Sequence, residues 1–351
     1  MINVTIGMDI GDKKHLVCVL NSDGKKILTD TVENNRKALD NFFVKYKGAT
    51  VVIEASTHSP WISRQLDLLG CTVLVGNPRK LRVIWDSDDK ADIRDAEMLA
   101  RIGRFDPELL YPINHRGEQA QVDLELLKAR EMLVQNRTSM INHVRSVVKS
   151  FGERLPKCST PSFHKKVADH IPEALKNSLH PLLESITDHT QKIKEFDQRI
   201  ETISRECYPE TELLRAISGV GPLTALAYLL VLEEYSRFDK SRQVGKFLGL
   251  TPKLDQSGET DKQLRITKAG NVYLRKLLVQ AGHYILGPFG PDCNLRRFGL
   301  RIAERGGKNA KRRAVVAVAR KLAVLMHRLW QNAEIYDPNY KFGKQTMKKA
   351  A

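Results

Sequence analysis

The amino-acid sequence predicts an α/β domain in roughly its first hundred residues, followed by a mainly α-helical remainder. Three observations predict it. Short apolar runs of strand period alternate with helical-period segments up to residue 103, long stretches of helical spacing follow, and the positive charge gathers toward the end of the chain. At 351 residues the chain is long enough for two domains with their own cores, and 42% hydrophobic with 28% charged residues is ordinary globular composition.

Residues 4–9 and 15–20 read as two apolar strands joined by a tight turn at Gly11-Asp12, and 26–32 as a third strand after the Asp23-Gly24 turn signal. Residues 36–46 carry Leu39, Phe42, Phe43 and Tyr46 at helical spacing. A short strand over 50–54 ends on Glu54; a helix over 60–69, a strand over 71–76 and a helix over 91–103 follow. Three strands, a helix, a strand, a helix, a strand and a further helix is the element order of the RNase H-like fold.

The middle of the chain is helical. Residues 118–150 contain no Pro or Gly and space Leu124, Leu127, Leu133, Ile141, Val144 and Val148 along one stripe; 156–161 reads as a linker. Leu179, Leu182, Ile186, His189, Ile193, Phe196, Ile200, Ile203 and Cys207 then alternate in steps of three and four, a heptad pattern that fits a coiled-coil seam between chains or an amphipathic helix packed within its own chain. Beyond it, an apolar helical run over 213–232 is interrupted by Gly219-Val220-Gly221-Pro222; a polar loop follows Phe247–Pro252; helices are expected over 271–286 and about 311–331. The expected division is a catalytic domain over 1–105, a helical spacer over 106–207, a C-terminal domain over 208–335 and a basic, disordered tail over 336–351.

The net charge is +16, and residues 208–351, with 26 Lys and Arg against 12 Asp and Glu, hold +14 of it. That asymmetry predicts a near-neutral catalytic module joined to one that binds a polyanion. No apolar stretch approaches the ~20 residues of a membrane span, and no signal peptide or lipidation motif is evident, so no membrane partner is expected. Five scattered cysteines (Cys18, Cys71, Cys158, Cys207, Cys293) with no C-x-x-C pair argue against a zinc ribbon or a disulfide scaffold and point to the cytoplasm.

Four acids stand out as candidate catalytic metal ligands. Asp9 closes the first apolar run before Gly11, Glu54 closes the fourth, and Asp92 and Asp95 lie three apart on a helix, hence on one face. In an RNase H-like sheet the ends of the first and fourth strands are neighbours and a late helix crosses beside them, so the four would converge. Gathered carboxylates need cations, and an all-oxygen set selects Mg²⁺ or Mn²⁺. Taken singly, each acid also suits a turn or a solvated helix face.

The motifs carry a resemblance. Gly7-Met8-Asp9-Ile10-Gly11, Val52-Ile53-Glu54-Ala55-Ser56 and Lys90-Ala91-Asp92-Ile93-Arg94-Asp95-Ala96 resemble the N-terminal signatures of the DEDD insertion-sequence transposases of the insertion-sequence-110 type, which include RNA-guided bridge recombinases. Ile217-Ser218-Gly219-Val220-Gly221-Pro222, Phe247-Leu248-Gly249-Leu250-Thr251-Pro252, Gln256-Ser257-Gly258 and the run from Ile266 to Arg275 resemble the C-terminal signatures, in the family's order from about residue 4 to residue 330. The resemblance implies a RuvC-like domain over 1–105, a helical spacer and a C-terminal transposase domain with a serine loop. It implies that Ser257 attacks a DNA phosphodiester with the carboxylates and Mg²⁺ in a composite site. It further implies donor and target DNA, a structured guide RNA, and a homo-oligomer, dimer or tetramer. Two departures are Ala91, where the family has Thr or Ser, and the acidic run Gly258-Glu259-Thr260-Asp261-Lys262.

Lys268 and Arg275 flank the serine loop and are expected at phosphate, as are Arg296, Arg297, Arg301, Arg305, Lys308, Lys311, Arg312 and Arg313, a stretch offset only by Glu304. Tyr273 is expected to pack rather than react, and the Gly219-Val220-Gly221 turn either contacts nucleic acid as a helix-hairpin-helix or simply joins two helices. A RuvC-like structure-selective nuclease or junction resolvase would explain the acids but not the basic C-terminal region or Ser257. A sugar-kinase-like phosphotransferase would need a second phosphate loop, which the sequence lacks; a non-catalytic nucleic-acid-binding protein would leave the four acids idle.

Overall fold

The computed structural model of the chain describes residues 4–81, 92–257 and 260–339. It forms two compact units, residues 1–117 and 118–351.

The first unit is built on a five-stranded sheet of order β3-β2-β1-β4-β5, made of β1 (Thr5–Ile10), β2 (Lys14–Leu20), β3 (Lys26–Glu33), β4 (Thr50–Glu54) and β5 (Thr72–Gly76). β1, β2 and β3 pair antiparallel, while β4 lies parallel to β1 and β5 parallel to β4. Side chains alternate across a strand, so the sheet has two apolar faces. Ile6, Met8, Val17, Val19, Val51 and Ile53 meet Leu39 and Phe43 of α1 (Arg36–Phe43) and Ile62 and Leu66 of α2 (Ser59–Leu68) on one of them. Phe43 is fully buried there, worth about 2–3 kcal/mol. Cys18, Leu20 and Val52 on the opposite face meet Ala96, Leu99, Ala100 and Ile102 of α4 (Asp92–Phe105), with Leu81 of the short α3 (Pro78–Leu81) and Leu110 alongside. Asn35 caps α1 by accepting from the Ala38 amide at 2.9 Å. The element order and the adjacency of the first and fourth strands are those expected of the RNase H-like reading.

The second unit is mainly helical. α5 (Glu118–Ser150) and α7 (Lys176–Glu206) pack as a pair, with α6 (Phe163–Val167) at one end. Arg130 Nε donates to Asp197 Oδ1 at 2.5 Å and Arg137 Nη1 to Thr190 Oγ1 at 3.2 Å, so the two helices run antiparallel. Leu179 and Ile186 of the expected heptad bury against Ile141, Val144 and Val148, joined by Leu183, which the heptad does not include, while its Leu182 is only partly buried. That part of the seam is closed within the chain.

α8 (Thr211–Arg215) leads to α9 (Pro222–Leu232), buried on every side and therefore the centre of the unit. The Tyr228 hydroxyl donates to the Ala323 carbonyl at 2.6 Å. α10 (Arg242–Phe247), α11 (Val272–Leu286), α12 (Asn294–Ala303) and α13 (Ala310–Asn332) complete the shell, and Leu124, Leu127 and Ile200 share this core. Two elements differ from the sequence reading. The polar loop is a β-hairpin, β6 (Pro252–Ser257) paired antiparallel with β7 (Thr260–Ile266), so the unit is not wholly α-helical; the start of the basic stretch is helix α12. Of the basic tail over 336–351, residues 340–351 lie outside the described residues, as does Ala91.

Candidate active site

Asp9 stands two residues beyond Gly7, and an alanine Cβ at Gly7 would lie 1.9 Å from the Ala96 carbonyl oxygen and 2.5 Å from the Ala100 nitrogen. Gly7 therefore faces α4, and by strand alternation so does Asp9. Val52 packs beneath α4, and Glu54, two residues on, lies on the same face. The parallel ladder runs Gly7 to Val52 and Met8 to Ile53, and Asp9 and Glu54 are the residues that follow its last pair, at the ends of neighbouring strands.

α4 is fixed over that face at several points. Glu97 accepts from Lys26 Nζ on β3 at 2.7 Å and from Arg101 at 2.7 and 2.9 Å, and these two cations hold its carboxyl below the usual range. An alanine Cβ at Gly103 would meet Val52 Cγ2 at 2.3 Å. Arg104 donates to the Ser22 carbonyl. Ser22 follows β2, whose Leu20 pairs with Thr5, so the C-terminal end of α4 lies at the start of β1. Its N-terminal end, with Asp92 and Asp95, is accordingly directed toward the Asp9 end.

Asp95 is partly buried one turn before Leu99, in line with the stripe facing β4, and Asp92 is one turn before Ala96, in line with the stripe over β1. The Asp92 side chain lies outside the described residues, and among the described residues no three His, Cys, Asp or Glu side chains come close enough to hold a metal ion. The donors in question are carboxylate oxygens only, a set that suits a hard divalent cation rather than zinc.

The turn behind Asp9 is braced. Asn34 Nδ2 donates to the carbonyls of Gly11 at 3.3 Å and Asp12 at 2.8 Å, and His58 Nε2 lies 3.2 Å from Asp12 Oδ1. Burial pushes the His15 imidazole below its ordinary pKa, so it is neutral under this turn. Nothing in the sequence reading singled out His15, Asn34 or His58; a histidine inside an apolar strand was the available signal.

In the second unit, Ser257 is the last residue of β6, paired in register with Thr260; its side chain lies outside the described residues. The basic residues divide in two. Arg275 is 8% exposed, and its Nη1 donates to the carbonyls of Leu248 at 3.0 Å and Ala269 at 2.7 Å. Arg296 Nη1 donates to the carbonyls of Ile285 and Gly287 at 2.7 and 2.6 Å, and Arg297 reaches Asp292, Asn294 and Asn339. These three bind the protein itself.

Lys268, Arg301, Arg305, Lys308, Lys311, Arg312 and Arg313 are exposed, the last six around the α12–α13 turn. Tyr273 is partly buried against the core, with burial pushing its phenol well up, in keeping with packing rather than reaction. The Gly219–Gly221 turn lines an open cavity of about 480 Å³ with Arg215, Gln280 and Tyr284. Among the described residues no helix is long and apolar enough to cross a membrane.

Comparison with known proteins places these features in a family. A transposase model of the DEDD, IS110 type matches residues 6–152, and the model of the transposase IS116/IS110/IS902 family matches residues 211–288. The chain is 26% identical over 339 residues to the transposase for insertion sequence element IS1111A of Coxiella burnetii, covering 94% of this chain and 90% of that protein. It is 27% identical over 288 residues to the transposase for insertion sequence element IS1328 of Yersinia enterocolitica (80% and 83%), and 25% identical over 254 residues to the pilin gene-inverting protein of Moraxella lacunata (71% and 68%). With the two models matching in the expected order, over residues 6–152 and 211–288, the chain belongs to the IS116/IS110/IS902 family of DNA transposases.

Proposed function

We propose that this transposase cuts and rejoins DNA through Ser257, assisted by Asp9, Glu54, Asp92 and Asp95, with donor and target DNA held mainly by residues 208–351. The observation that supports the reading is the β1–β4 register, Gly7 to Val52 and Met8 to Ile53, which leads to Asp9 and Glu54 at neighbouring strand ends on the face that α4 covers at Gly7. Carboxylates gathered at one sheet end favour a cation among them. Asp9, Glu54, Asp92 and Asp95 would hold Mg²⁺ or Mn²⁺, which when bound would neutralise charge building on the phosphate and ease loss of the serine proton.

The chain's own residues do the rest. Ser257 Oγ attacks phosphorus and forms a phosphoserine bond, one bridging P–O bond of the strand breaks, and the departing oxygen takes up a proton. Attack by a second strand's hydroxyl on the phosphoserine reverses the step and rejoins DNA with no net loss of phosphodiester bonds. Inversion, the activity named in the Moraxella relative, asks for the same cut-and-rejoin chemistry. A structured RNA encoded by the element would choose the sites by base pairing, and a dimer or tetramer would bring Ser257 of one unit to the acids of another. The cytoplasm, where a bacterial chromosome lies, is the setting this activity requires.

The test is a covalent protein–DNA adduct trapped on denaturing gels in Mg²⁺. Adduct is expected from the intact protein, none from Ser257→Ala, and at least a hundredfold less from Asp9→Asn or Glu54→Gln, with DNA affinity kept. Cleavage that survives Ser257→Ala undiminished would overturn the serine mechanism and favour a resolvase-like attack by water.

A further inference from the structure

The hairpin that carries Ser257 leaves the helical body through two connectors that are hydrogen-bonded to each other at its base. One runs from α10 through Leu248, Gly249, Leu250 and Thr251 into β6, the other from β7 through Thr267, Lys268, Ala269 and Gly270 to Asn271, the N-cap of α11. They touch backbone to backbone. The Thr267 amide donates to the Thr251 carbonyl at 2.9 Å and the Lys268 amide to the Gly249 carbonyl at 3.1 Å. An alanine Cβ at Gly249 would lie 2.3 Å from the Ala269 oxygen, and one at Gly270 2.0 Å from the Phe247 oxygen. Gly249 (φ 65°), Gly270 (φ 72°) and even Lys268 (φ 55°) are left-handed, a conformation a lysine adopts only when its surroundings impose it. Leu248 and Leu250 anchor the first connector in the core.

Arg275 joins the two connectors. From the first turn of α11 its buried Nη1 donates to Leu248 on one and Ala269 on the other. One carbonyl lies on each connector, and a buried carbonyl stripped of its donor is costly. The geometry points to Arg275 as a positioning residue: a charged staple that fixes the direction in which the Ser257 hairpin leaves the protein, and not a phosphate contact. Its link to catalysis rests on Ser257 being the nucleophile; the staple itself does not.

Two measurements on the full-length protein separate these. In Arg275→Ala, hydrogen exchange at the Thr267 and Lys268 amides is expected to rise at least tenfold while α9 amides keep their protection. Serine–DNA adduct formation should slow by about a hundredfold, the scale of an ångström-sized misplacement, at a DNA affinity within about threefold of the parent. Arg275→Lys keeps the charge and a donor, and is expected to restore part of both; it also serves should the alanine variant not fold. Unchanged exchange at the two amides in the variant that folds overturns the staple, as does exchange rising evenly across the unit. A loss of DNA affinity equal to the loss of adduct makes Arg275 a phosphate contact instead. Faster exchange together with cleavage that ignores Ser257→Ala would sink the serine mechanism and leave the staple standing.

Discussion

Gly7 has no side chain because α4 leaves no room for one: the Cβ of an alanine would sit inside contact distance of two backbone atoms of the helix, and neither can swing aside. Gly7→Ala is therefore expected to push α4 off β1, at a cost of about 1–3 kcal/mol or more, read as a fall in thermal midpoint, and to lose strand cleavage because the Asp92 and Asp95 end of α4 moves with it. An unchanged midpoint with full activity would mean that α4 does not need this close approach. At His327 the issue is protonation. It is fully buried, its Nε2 lies 3.0 Å from the Tyr235 carbonyl, which can only accept, and its Nδ1 lies 2.9 Å from Ser241 Oγ, so the neutral ring donates from Nε2 and accepts at Nδ1. Burial lowers its pKa, offset only in part by the Tyr235 bond. The unfolded chain takes up a proton near pH ~6.5 where the folded ring does not, so this contribution is complete above that pH and declines as pH falls through it. Melting followed from about pH 7.5 to about 5.5 is expected to show a falling midpoint, and His327→Gln to flatten that fall; a variant with the parent's full pH dependence would assign the effect to other groups.

Among the elements, the α12–α13 turn is where positive charge is available. Arg301, Arg305, Lys308, Lys311 and Arg312 project from the end of one helix, the Gly306-Gly307 turn and the start of the next, whereas Arg296 and Arg297 earlier on α12 are committed to carbonyls, Asp292 and amide side chains. Replacing these five of the six exposed cations with Gln should reduce the slope of log affinity against log salt by about 0.9 for each phosphate left without its cation. Arg296→Gln should leave the slope alone and lower stability by about 1–3 kcal/mol. Reversal of those two results in salt titration and melting would reverse the assignment. The sequence shows the charge of this region but not the division, because an arginine that feeds carbonyls and one that faces water read alike in a row of letters. The same limit hid β6 and β7: Leu254 and Leu264, the leucines of the two strands, are 64% and 48% exposed, and the sequence there shows no apolar alternation. β1, β2 and β4 were legible for the opposite reason, since each buries a run of apolar side chains, whereas β3, which buries only Val32, was legible from the Asp23-Gly24 turn before it. Asp9 and Glu54 were legible because an acid that closes an apolar run serves no need of the strand itself; their adjacency needed the β1–β4 register. The heptad of α7 left its partner open, and α5 fills part of that seam from within the same chain.

On the scale of the whole molecule, charge and cores follow the same division. Residues 1–117 carry 17 Lys and Arg against 16 Asp and Glu, and residues 118–351 carry 40 against 25. Each unit closes its own core, the first on both faces of its sheet and the second around α9. A unit with its own core can fold alone. Made separately, residues 118–351 are expected to bind duplex DNA with most of the intact protein's affinity and salt slope and to form no adduct, having the serine without the acids. Residues 1–117, nearly neutral, should bind DNA weakly and cut nothing. Mixing the two in Mg²⁺ then asks whether the acids and the serine can be joined without a peptide bond between their units. Fluorescence anisotropy and adduct gels read the three samples. DNA affinity residing in residues 1–117 would contradict the proposed division of labour, because a unit with one net positive charge has little long-range attraction for a polyanion.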